Sequence, residues 1–100
     1  MPKTDLTGKQ RRHLRSLANR LATTIHVGKD GLSEGLVKNL EAEFEHRELV
    51  KVTVNQNCEH GAKELAFELA EKAQAHWVQT LGRTVVLFRP LDPPEIHLPS

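Results

Sequence analysis

The sequence predicts an α/β domain with its elements in the order α-β-α-β-α-β-β. Three observations carry this. Segments 7–21, 33–47 and 59–75 repeat apolar residues at helical spacing. Runs 23–27, 49–54, 76–81 and 84–89 are rich in β-branched residues or alternate apolar with polar ones. Glycine- and asparagine-bearing stretches punctuate them. A chain of 100 residues is one domain of common size.

The first helix, 7–21, places Leu14, Leu17, Ala18 and Leu21 on one face. Thr7 is its expected N-cap, and Gln10 three residues later completes a capping box. Lys9, Arg12, Ser16 and Asn19 project opposite the apolar face, with Arg15 and Arg20 on its flanks. Cations near the first turns oppose the helix dipole. A helix serving stability alone would carry acids there, so these residues point to a ligand, although a solvated face also accommodates them.

In the run 23–27, Ile25 and Val27 share one face and Thr24 and His26 the other. Ser33 caps the second helix, Glu34 suits its first turn, and Leu36, Val37, Leu40 and Phe44 form its buried stripe. Glu41, Glu43 and Glu45 fall on its outer surface or edges. In 49–54, Val50, Val52 and Val54 share a face, with Lys51 and Thr53 opposite. This strand–helix–strand unit predicts a parallel pair with a right-handed crossover.

In the third helix Leu65, Ala66, Leu69, Ala70 and Ala73 point inward, and Glu64, Glu68, Glu71 and Lys72 outward. That acidic face should point away from any polyanion. Strands 76–81 and 84–89 form a hairpin around Gly82-Arg83. Phe44 and Phe67 read as core, and Trp77 as a half-buried sheet residue. Pro90, Pro93, Pro94 and Pro99 predict a loose or extended tail over 91–100, following a domain over 1–90.

Hydrophobic residues make up 38% and charged residues 27%, which fits a soluble globular protein rather than a disordered one. No apolar run approaches the length of a membrane span, and no apolar stretch follows the N-terminus as in a secretory leader, so no membrane association is expected. A single cysteine, Cys58, forms no internal disulfide and agrees with a cytoplasmic setting. Residues 1–29 carry seven basic residues against one acid, a net +6, whereas residues 30–100 carry seven against twelve, a net −5. The net charge of +1 conceals a polarised molecule whose basic part can attract a polyanion.

Gly28-Lys29-Asp30-Gly31 follows the first strand and leads into the second helix. Glycine lets a ligand approach the main chain closely. A helix N-terminus favours anions, and Lys29 adds a full charge, so the stretch suits phosphate. A plain turn has the same four-residue pattern. An enzyme is the competing class. His13, His26, His46, His60, His76 and His97 form neither an HExxH nor a Cys/His zinc spacing, and Cys58-x-His60 is too short for a metal site. Gly28-Lys29 is not followed by Ser or Thr as in a Walker loop. A small enzyme binding a phosphorylated ligand, or a protein-binding adaptor using the acidic third helix, are the alternatives. No catalytic residue, metal ligand or cofactor is expected.

Four stretches together resemble one family. They are Leu6-Thr7-x-Lys9-Gln10-Arg11-Arg12-x-Leu14-Arg15-x-Leu17-Ala18, Val27-Gly28-Lys29-Asp30-Gly31-Leu32, Glu48-Leu49-Val50-Lys51-Val52, and Gly82-Arg83-Thr84-Val85-Val86-Leu87-Phe88-Arg89-Pro90. They look like the YhbY family, whose fold is the CRM (chloroplast RNA splicing and ribosome maturation) domain. The resemblance implies a compact domain with a four-stranded mixed sheet covered by helices, similar to the C-terminal domain of translation initiation factor three. It also implies binding to large ribosomal subunit precursor RNA in ribosome assembly, and contact with ribosomal proteins is compatible with this. Similar domains in plant organelles act in group II intron splicing.

RNA contacts are then expected at Lys9, Arg11, Arg12, Arg15, Gly28, Lys29, Asp30 and Gly31, in a monomer. Loop amides would meet phosphate oxygens, with chemistry like that of the KH-domain GXXG loop. Asp30 departs from the family, where this place is often small or neutral, and it partly offsets Lys29. An aspartate in a turn can bond nearby backbone N–H groups. No Tyr and no RNP-type motif is present, so backbone clamping rather than base readout is expected.

Overall fold

The computed structural model describes residues 6–99. Lys3 and Asp5, which enter the charge asymmetry, and the N-terminal stretch read for a leader lie outside the described residues. The elements are α1 (Gly8–Ala18), β1 (Ile25–Val27), α2 (Glu34–Phe44), β2 (Leu49–Val54), α3 (Ala62–Ala73), β3 (His76–Leu81) and β4 (Thr84–Phe88). The four strands form one mixed sheet in the order β1-β2-β4-β3. β1 pairs parallel with β2, and β4 pairs antiparallel with both β2 and β3. The predicted element order, parallel pair and hairpin are all present.

The sheet offers its two faces to different helices. Val50, Val52, Val54, Val85 and Leu87 join Leu36, Leu40 and Phe44 of α2 and Leu65, Ala66, Leu69, Ala70 and Ala73 of α3 in one core. Leu49, Val78, Val86 and Phe88 face the other way and pack with Leu6, and with Leu14 and Ala18 of α1. The result is three layers, with α1 on one side of the sheet and α2 and α3 on the other. Leu14 is fully buried, worth about 1.5–3 kcal/mol of transfer free energy. At the start of α1 the capping box is complete: Gln10 N–H donates to Thr7 Oγ1 and Thr7 N–H to Gln10 Oε1, each at 3.1 Å.

All three helices end earlier than the segments 7–21, 33–47 and 59–75 expected from the sequence. After Ala18, Arg20 N–H bonds to Leu17 O and Leu21 N–H to Ala18 O, so the ladder tightens into turns spanning three residues. After Phe44, Glu45 and His46 do the same. Gln74, with φ of 53°, ends α3, and Ala75 N–H reaches back to Ala70 O. β1 is shorter than the β-like run that contains it, although Thr24 N–H still bonds to Lys51 O.

Two expectations are corrected. Phe67 is not core; it is 48% exposed on α3 and tilts against Trp77 with ring centroids 5.4 Å apart. Helical period explains this, because Leu65, Ala66, Leu69 and Ala70 define the buried face and Phe67 lies off it. The tail is not loose. Glu48 is 3% exposed, and its carboxylate accepts N–H bonds from Leu91 (2.8 Å), Glu95 (3.0 Å) and Ile96. Ile96 and Leu98 pack on the α1 core, and Gln10 Nε2 donates to Pro99 O at 3.2 Å. The prolines keep the tail out of helix and strand, while the N–H groups of Leu91, Glu95 and Ile96 find a buried acceptor.

Candidate nucleic-acid interface

The loop after β1 is a turn closed by Gly31 N–H donating to Gly28 O at 3.0 Å. Lys29 and Asp30 sit at its corners, both exposed, and neither side chain makes a hydrogen bond or ion pair among the described residues. The bond that an aspartate in a turn can make to nearby N–H groups is therefore not made by Asp30. Gly31 has φ of +63°, a conformation that side-chain-bearing residues resist. Gly28 has no positive φ, and a Cβ added at either glycine would meet nothing within 4 Å. The main chain is open to an approaching group on those sides. Leu32 and Ser33 separate the loop from α2, and Ser33 Oγ already accepts from Leu36 N–H at 3.2 Å. The loop rather than the α2 terminus is thus the open element.

In α1, Lys9 and Arg12 are exposed and Arg15 is half-buried, and the helix carries no acid. Arg11 behaves differently. Its guanidinium lies 5.3 Å from the Trp77 ring centroid, and its Nε is buried without a hydrogen-bond partner. Trp77 is half-buried, as expected, and its Nε1–H donates to Thr80 Oγ1 at 3.0 Å. Arg11 therefore helps build the β3 edge as well as the basic face.

Sheet topology brings the GxxG loop beside two other connections. Asn55 N–H donates to Val27 O at 2.8 Å, and Val54 N–H to Arg83 O at 2.7 Å. The β1 loop, the turn after β2 and the β3–β4 hairpin thus line one edge of the sheet. Exposed Arg83 was read from sequence only as a turn residue; the signal for it is a cation at a hairpin tip. Lys51 was read as a strand face residue, and its Nζ donates to Leu21 O at 3.1 Å, tying the end of the α1 segment to the sheet.

The acids of α2 and α3 lie elsewhere. Glu34, Glu41 and Glu43 are on α2, and Glu64, Glu68 and Glu71 on α3, across the sheet from α1. Glu41 is bound by Arg89 Nη1 at 2.9 Å, and Arg47 Nε lies 3.7 Å from Glu43. His60 Nδ1 lies 3.0 Å from Glu64 Oε2. That bond, helped by Gly61 N–H, lowers the Glu64 carboxyl below its ordinary value. Among the described residues no group of three or more His, Cys, Asp or Glu could hold a metal ion. No described helix is long and apolar enough to cross a membrane.

The model of the CRS1 / YhbY (CRM) domain matches residues 6–89. The chain belongs to this family. It is 43% identical over 84 residues to the Probable RNA-binding protein YqeI of Bacillus subtilis, covering 84% of this chain and 88% of that one. It is 35% identical over 97 residues to a Haemophilus influenzae protein named RNA-binding protein, covering 96% and 97%. A rice CRM-domain containing factor, CFM3, is 26% identical over 95 residues, which span 91% of this chain but 11% of that factor. The solution structure of a Staphylococcus aureus hypothetical protein, SAV1595, superposes with a TM-score of 0.80 at 42% identity, covering 94% and 99%. In this CRM domain the two predicted basic elements occupy separate places. α1 lies on a face of the sheet and the GxxG loop at the end of β1.

Proposed function

We propose that this CRM domain binds RNA, holding structured RNA by its backbone through the GxxG loop and the basic face of α1. The observation that carries this reading is the segregation of charge by layer. Lys9, Arg11, Arg12 and Arg15 stand on α1 without an acid, while the glutamates of α2 and α3 lie across the sheet. The exposed, unpartnered Lys29 beside an open main chain adds a phosphate-sized contact point. The bacterial relatives, named as RNA-binding proteins, support the same reading.

The RNA we assign is a precursor of the large ribosomal subunit, bound in the cytoplasm by a monomer during ribosome assembly. The chain acts without a catalytic centre, cofactor or metal; residues 1–90 are the binding domain and 91–100 its appended tail. Neutralising four or five phosphates predicts that log affinity falls with log salt at a slope of roughly −3 to −5. A salt-independent affinity would overturn the clamp. Crosslinking in the native cell, followed by sequencing of attached RNA, tests the assignment. Recovery of large-subunit precursor fragments is the expected result, and recovery of none above background would favour an adaptor or ligand-binding enzyme.

A further inference from the structure

α1 does not cover the whole of its side of the sheet. Its core partners there are Leu49, Val78, Val86 and Phe88. Strand register places a further row on the same side, nearer the GxxG edge. His26 pairs with Thr53, Thr53 with Thr84, and Thr84 with Leu81. His26 is exposed and Leu81 is 69% exposed. Thr53 Oγ1 lies 2.8 Å from Thr23 Oγ1 and 3.5 Å from Thr84 Oγ1, so hydroxyls run across the middle of the row. His26 Nδ1 faces Asn55 Oδ1 at 3.3 Å, which steadies the ring at the surface.

Charge selects the occupant. The row holds no carboxylate. Exposed Lys29 follows β1 at one end, and exposed Arg83 sits at the hairpin beyond Thr84. Asp30 is the acid nearby in sequence, at the corner of the loop. Backbones of β1 and β4 are two strand spacings apart, about 10 Å. Two long cations can therefore hold one strand's phosphates along the row. Between them stand an imidazole face and hydroxyls that can both donate and accept, with the exposed Leu81 of β3 beyond.

We propose that this uncovered row is a separate contact region for an unpaired RNA segment, with Arg83 holding phosphate, His26 stacking on a base, and Thr84 meeting a sugar or base edge. This rests on the RNA reading above and adds strand-state preference to it. Duplex RNA hides its bases, whereas unpaired bases stack on aromatic and imidazole faces and expose their edges. The row supplies the base contact for which the sequence, lacking Tyr and an RNP motif, showed no carrier.

The full chain is tested against two probes, a labelled short oligouridylate and an RNA duplex of equal length. His26→Ala should weaken oligouridylate binding at least about fivefold with an unchanged salt slope, and leave duplex binding as it was. His26→Phe should restore affinity, a rescue that a merely structural histidine would not give. Arg83→Ala should lower the magnitude of the oligouridylate salt slope by roughly 0.7, the single-strand value for one phosphate. Melting temperatures should stay level, since both side chains are exposed. If His26→Ala and Arg83→Ala bind oligouridylate normally while Lys29→Ala is impaired, the row is not an RNA contact and the loop reading survives. If none of the three variants changes affinity for either probe, both readings fail. Self-association abolished by Leu81→Asp would assign the row to a second copy of the chain and overturn the proposal.

Discussion

Gly28 and Gly31 look equivalent in sequence, and the backbone separates them. Gly31 needs its positive φ, so a side chain there is strained even though the space is open. Gly31→Val should cost about 1 kcal/mol or more, lowering the melting temperature by roughly 4–8 °C per kcal/mol. Gly28→Ala has neither penalty and should melt like the parent; a loss of RNA affinity there would report close approach of phosphate. Lys29→Ala should also melt normally while the salt slope shrinks by roughly one unit. Asp30→Asn should strengthen binding, because its carboxylate has no partner to lose. Normal low-salt affinity in both Lys29→Ala and Asp30→Asn would reduce the loop to a turn.

Glu64 gives a pH dependence of known sign. Its carboxyl is lowered first by the His60 bond and then by Gly61 N–H. A lowered folded-state value stabilises the protein above the ordinary carboxylate range, and the contribution fades as pH falls through the folded value. His60→Ala should move the Glu64 titration upward in an NMR pH series. No movement would mean that the pair does not persist in solution. Screening keeps the stability change small, since both side chains are exposed.

At the scale of elements, β2 was legible to the residue because Val50, Val52 and Val54 alternate with Lys51 and Thr53, and β3 because the Gly82-Arg83 turn marks where it ends. Helix ends were not, since the switch to three-residue turns leaves no apolar signature, and Gln74 holds a position that glycine usually marks. Phe67 was misread because its aromatic identity outweighed its place off the helix stripe. Half of the candidate site, the basic face of α1, was readable from spacing. Arg83 joined the loop only through strand register, which one-dimensional pattern does not contain. The tail was missed for a similar reason: its partner, Glu48, lies more than forty residues away in sequence. Glu48→Ala should therefore destabilise the fold by about 3 kcal/mol, the order expected when a buried charged acceptor leaves its donors unpaired. Because Gln10 and the α1 core also contact the tail, urea melts of Glu48→Ala and of a chain ending at Pro90 should both shift to lower midpoints. An unshifted midpoint in either would mean the strap adds nothing to α1.

For the whole molecule, the sheet and its two cores separate the basic α1 from the more acidic α2 and α3, and this decides how net charge should act. The shortest dimension of the domain is 24 Å. The Debye length is about 10 Å at 0.1 M salt and about 30 Å at 0.01 M. Charges on the outer face of α3 should therefore be invisible to RNA lying on the α1 side at 0.1 M, and felt at 0.01 M. Arg12→Glu with Arg15→Glu, and Glu64→Lys with Glu68→Lys, change net charge by equal and opposite amounts. The α1 pair should weaken RNA binding at both salts and flatten the salt slope by roughly two units. The α3 pair should leave affinity unchanged at 0.1 M and raise it modestly at 0.01 M. Circular dichroism should be unaltered in the α1 pair, because the fully buried contacts of α1 are made by Leu14 and Ala18. If both pairs shift affinity by equal factors at 0.1 M, RNA responds to total charge, and the layered separation has no part in orienting it.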